Sequence, residues 1–109
     1  MPTEIVMARQ AINSPAFATP YVPDPEREAF VIVTLTGNLT VSNPASARPG
    51  AKLVFEFIQD GTGTRTVTFG SAYKVTWTPT TTAGLRNVIE FICDGTNWLQ
   101  MSTGIGLPA

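Results

Sequence analysis

The chain has 109 residues, 43% of them apolar, with a formal net charge of −1 and no histidine. The length suggests one domain. The charge excludes the basic face that nucleic acid demands and a polybasic membrane-surface segment, and no apolar run approaches the ~20 residues that span a bilayer. Without histidine, Ser-His-Asp and Cys-His catalysis and most zinc sites are excluded together.

Residues 1–29 hold five of the nine prolines, Pro2, Pro15, Pro20, Pro23 and Pro25. Proline at that spacing blocks both helix and central strand. The start, Met1-Pro2-Thr3-Glu4, lacks the basic and apolar regions of a signal peptide. The segment reads as an extended arm with Ile5, Ile12, Phe17 and Tyr21 as anchors for a partner chain, more apolar than disorder usually allows. A disordered tail is the alternative.

Strand patterning starts at Phe30. Phe30–Thr36 is apolar on both faces, and Gly37-Asn38 turns into Leu39–Asn43. After a loop ending in Pro49-Gly50, Ala51–Gln59 alternates cleanly, with Leu53, Phe55 and Phe57 on one face and Lys52, Val54, Glu56 and Ile58 on the other. Asp60–Gly63 turns into Thr64–Phe69, and Gly70-Ser71 into Ala72–Trp77. A Thr-rich loop, 78–84, precedes Asn87–Cys93 and its hairpin partner Asn97–Ser102. Residues 30–103 are thus a β-domain, and 104–109 a flexible tail. The expected fold is an all-β antiparallel sandwich or jelly roll with an extended N-terminal arm.

Part of this pattern is repeated. Phe55-Glu56-Phe57-Ile58-Gln59-Asp60-Gly61-Thr62 returns as Ile89-Glu90-Phe91-Ile92-Cys93-Asp94-Gly95-Thr96. Each copy is an alternating strand running into Asp-Gly, a strong hairpin signal. The face opposite the core reads Val54-Glu56-Ile58 in one copy and Val88-Glu90-Ile92 in the other. Aliphatics around a carboxylate suggest cover, which marks Val54, Ile58, Val88 and Ile92 as an oligomer interface; the alternative is a small sandwich that leaves some Val and Ile exposed.

No constellation points to catalysis, a metal or a cofactor. Glu56 and Glu90 sit mid-strand among aliphatics, which suits pairing with Lys52, Arg65 or Arg86 better than glycosidase chemistry. The Asp-Gly-Thr loops carry one Asp each, too few for a calcium loop. Cys93 reads as a small buried apolar residue and Trp98 as a cap on the core. Tyr73 and Trp77 are the aromatics that could stack on a glycan.

The run Pro49–Lys74, with Phe57-Ile58-Gln59-Asp60-Gly61-Thr62-Gly63 and Arg65-Thr66-Val67-Thr68-Phe69-Gly70, together with Asn87–Trp98 ending Asp94-Gly95-Thr96-Asn97-Trp98, resembles a β-module of tailed-bacteriophage virion proteins. The resemblance spans about residues 38–102. It implies a non-enzymatic virion structural domain that works as a homotrimer. Because the module fills most of the chain behind an apolar arm, the expected role is a head decoration (cement) protein on the exterior of the capsid, with the major capsid protein as partner. The alternative is a tail-fibre or receptor-binding head at the tail tip that binds host glycans.

Overall fold

A computed structural model describes residues 12–109. Eight strands follow in order: β1 (Ile12–Asn13), β2 (Phe30–Leu35), β3 (Leu39–Val41), β4 (Lys52–Gln59), β5 (Val67–Phe69), β6 (Tyr73–Lys74), β7 (Arg86–Cys93) and β8 (Trp98–Leu107). The fold is all-β, with no helix among the described residues.

The two repeat strands lie side by side. β4 and β7 pair antiparallel with Phe55 opposite Ile89, so the period-two pattern of each puts its core residues on the same face. Leu53, Phe55, Phe57, Ile89, Phe91 and Cys93 are all buried there, joined by Val31, Val33 and Leu35 of β2 and by Trp98 of β8. The six-stranded sheet has the order β1-β2-β4-β7-β8-β6. Across its core face lie the two-stranded sheet β3-β5, which contributes Leu39 and Val41, and the segment carrying Phe69, Tyr73 and Trp77. Phe69 is the hub of an aromatic cluster, with ring centroids 5.0–6.1 Å from those of Tyr73, Phe91, Phe55, Trp77 and Phe57. Tilted and edge-on pairs of this kind are each worth about 0.5–1.5 kcal/mol beyond area burial.

The antiparallel expectation is corrected. Pairs β1-β2, β2-β4, β3-β5 and β6-β8 are parallel, and antiparallel pairing is confined to β4-β7 and β7-β8. This mixed sheet departs from the antiparallel sandwich or jelly roll read from the sequence. The cause is visible in the first Asp-Gly copy. β4 already has β2 on one side and β7 on the other, so the strand after Asp60-Gly61 has no free edge to pair with. β5 instead crosses to β3, with Leu39 opposite Val67. The second copy does form a hairpin, because β7 offers an open edge to β8. Its turn spans four residues, and only Gly95 has positive φ (+103°), so the turn is not the two-residue type I′ form.

Two boundaries also shift. β8 continues to Leu107, with Leu107 opposite Arg86, so most of the segment read as a flexible tail is sheet. The later part of the arm is packed on the domain. β1 pairs with β2, Tyr21 bridges to Val41, and Phe17 packs against the core.

Candidate interaction surfaces

The arm residues divide sharply. Tyr21 donates its hydroxyl hydrogen to the Glu28 carboxylate, whose oxygens lie 2.8 and 2.7 Å away. Asn13 Nδ2 (2.8 Å) and the Asp24 amide (3.0 Å) also donate to Glu28, which is only 7% exposed. Burial and the Glu28 charge push the Tyr21 phenol well above its usual range, because ionising it would place two negative charges together. Tyr21 and Phe17 are therefore occupied within their own domain, whereas Ile12 is 64% exposed on β1. Ile5 lies outside the described residues.

Of the two glycan candidates, Tyr73 is corrected: it is buried, and its hydroxyl donates to the Ser42 carbonyl at 3.0 Å. Burial raises its phenol pKa above the ordinary range. Trp77 is half-buried, its ring packed against Phe57 and Phe69.

The repeated carboxylates lie on the outer sheet face. Glu56 accepts from Arg86 Nη1 at 2.7 Å and Glu90 from Ser102 Oγ at 3.1 Å. Both hold structural partners, and Arg86 is among those the sequence named. Arg86 Nε is buried without an acceptor. The turn aspartates are used locally. Asp60 Oδ1 accepts from the Thr62 and Gly63 amides, and Oδ2 pairs with Arg65 at 3.0 Å. Asp94 Oδ1 accepts from the Thr96 and Asn97 amides at 2.9 and 2.7 Å. The Arg65 hydrogen bond, then the backbone amides, hold the Asp60 carboxyl below its ordinary range; the Asn97 and Thr96 amides do so for Asp94.

Two buried amides were not singled out from the sequence. Gln59 bonds both backbone groups of Arg65 (2.8 and 3.1 Å), and Asn87 bonds both backbone groups of Thr80 (2.9 and 3.0 Å) and the Gly106 amide (3.1 Å). The signal was present: Gln59 extends the core parity of Leu53-Phe55-Phe57, and Asn87 precedes that of Ile89-Phe91-Cys93. A polar residue at a core position must be hydrogen-bonded.

Two hollows open at the start of β4. One, of about 510 Å³, is lined by Pro25, Glu28, Arg48, Pro49 and Lys52 among others. The second, of about 460 Å³, is apolar at Ile12, Phe30 and Val54 and is flanked by Lys52 and Glu90.

Residues 18–98 match the model of the family described as "Putative phage tail fibre C-terminal domain". The chain belongs to that family. It is accordingly a phage virion module, as the resemblance implied, from a family of structural components. The match gives no support to the capsid-decoration expectation; the tail-fibre alternative fits it better. No curated protein matches this tail fibre C-terminal domain.

Proposed function

We propose that the chain is a receptor-binding module of a phage tail fibre, carried at the tail tip as a homotrimer, and that it acts without catalysis by binding saccharides of the host surface. The observation that carries this reading is the family match over residues 18–98. The 510 Å³ hollow supports the binding part: its mainly polar lining, with Glu28, Arg48 and Lys52 beside Pro25 and Pro49, suits a hydroxyl-rich ligand. Trp77, half-buried rather than enclosed, is a separate candidate for stacking.

The test is competition. Purified protein added in excess is expected to reduce adsorption of the phage to its host, and Arg48→Ala or Trp77→Ala to weaken that effect. Binding to isolated phage heads with no effect on adsorption would sink the reading and return the decoration alternative.

A further inference from the structure

The sheet face turned away from the aromatic cluster is apolar where a solvated face would alternate to polar. Val54 and Ile58 of β4 and Val88 and Ile92 of β7 lie on it, all half-buried. Register extends it onto β8, where Leu99 stands opposite Ile92 and Leu107 opposite Arg86; both leucines are more than a third exposed. Monomeric proteins rarely expose contiguous apolar patches beyond a few hundred Å². Strands about 4.8 Å apart, rising about 3.3 Å per residue, give the β2-β4-β7-β8 face a projected area of roughly 500 Å². Accessible area exceeds projected area, so the face is of the order of the ~800 Å² that each partner contributes to a standard interface.

The charges on this face say what covers it. Glu56 is already neutralised by Arg86. Lys52 and Glu90 have no ion-pair partner among the described residues. Lys52 stands opposite Ile92 and Glu90 opposite Val54, so they are diagonal neighbours flanking the apolar hollow. One uncompensated cation and one uncompensated anion on a single apolar face form a self-complementary set. In a ring of copies the next chain supplies a Glu90 for Lys52 and the previous one a Lys52 for Glu90, while an uncharged cover would supply neither.

We propose that this face is the contact between copies of the chain and that Lys52 of one copy pairs with Glu90 of the next. The inference deepens the homotrimer part of the functional reading and rests on it; Lys52 also lines the proposed saccharide hollow, so E90K is the variant that reads the contact alone. The experiment is sedimentation equilibrium on the full chain and on K52E and E90K, separately and mixed in equal amounts. The wild type is expected to self-associate. Each variant alone should dissociate at least about tenfold more readily, because like charges then meet across the contact. The mixture should regain part of the association as mixed complexes, since in a mixed trimer two of the three contacts set an acidic side chain against a basic one and the third stays like-charged. That rescue cannot arise from contacts within one chain. Near-ultraviolet circular dichroism of each variant establishes that it is folded. A wild type that stays monomeric at high micromolar concentration overturns both the contact and the homotrimer. Association that ignores both variants, or a mixture that fails to recover, overturns the Lys52–Glu90 pairing while leaving the homotrimer standing.

Discussion

Replacing Asn87 should cost this domain more than any surface change. Its side chain is 1% exposed and makes three hydrogen bonds to backbone, two to Thr80 and one to Gly106. Each such bond contributes about 1 kcal/mol net, and an abandoned buried partner costs more than the mean. Asn87→Ala should therefore lower stability by about 3 kcal/mol, a large share of the ~5–15 kcal/mol of a typical domain. For a chain of this size that corresponds to a fall in melting temperature of roughly 15 °C. The discriminating variant is Asn87→Leu, which keeps the volume and loses the bonds. Urea unfolding followed by tryptophan fluorescence should place Asn87→Leu near Asn87→Ala, and hydrogen exchange at the Thr80 and Gly106 amides should accelerate in both. Were Asn87→Leu as stable as wild type, packing rather than the amide clamp would hold the 78–84 loop, and the reasoning would fail.

Gly63 has φ +70°, and a Cβ there would stand 2.8 Å from the Ala83 nitrogen and the Thr81 oxygen; Gly63→Ala should cost about 1–3 kcal/mol beyond the penalty of Gly84→Ala, where φ is +79° but space is open. Equal losses in thermal unfolding would show that the loop yields. The Asp60 and Asp94 carboxyls titrate below their ordinary 3.8 in the folded chain, so the unfolded chain takes up protons first, and the stability they contribute above that value is lost as pH falls through it. Asp60→Asn with Asp94→Asn should flatten the acid limb of melting temperature against pH; an unchanged limb would assign it to other groups. The two tyrosines are held protonated above their ordinary 10.0, so their stabilisation is complete below pH 10 and declines above it. Phenolate absorbance should stay silent at pH 10 and rise only as the fold is lost, whereas early titration would mean that Tyr21 or Tyr73 is open to solvent.

Alternation in Ala51–Gln59 and Asn87–Cys93 made the core face of β4 and β7 legible, because period two is a local property of the strand. It also exposed the apolar outer face. Pairing partners were not legible. Both Asp-Gly copies read as hairpins, and whether the following strand turns back depends on which edges of the parent strand are free. For β4 that is decided by β2, whose parallel register sets Val33 opposite Phe57, more than twenty residues away in sequence. The local turn geometry is nevertheless shared: Asp60 and Asp94 each accept from amides two and three residues on. After Gly63, Thr64 adopts φ +63°, and Gln59 holds Arg65 by its backbone, steering the chain off the sheet. Tyr73 failed as a surface residue for a similar reason. Its neighbours Phe55 and Phe91 come from distant segments and bury it.

The arm shows how a local reading changed the functional one. Its prolines and scattered apolar residues suggested a segment waiting for a capsid. In the fold, Pro23 is fully buried, its carbonyl accepts from the Ala45 amide, and Glu28 gathers Tyr21, Asn13 and the Asp24 amide into one buried cluster. Pro23 fixes its own φ within this packed segment, which lowers the entropy lost on docking there. The family match also begins at residue 18, inside the region read as a separate arm. Among the described residues, 12–29 belong to the domain and so carry no argument of their own for a capsid partner. On the described surface, the proposed self-association rests instead on the outer sheet face and the proposed saccharide binding on the hollow beside Lys52.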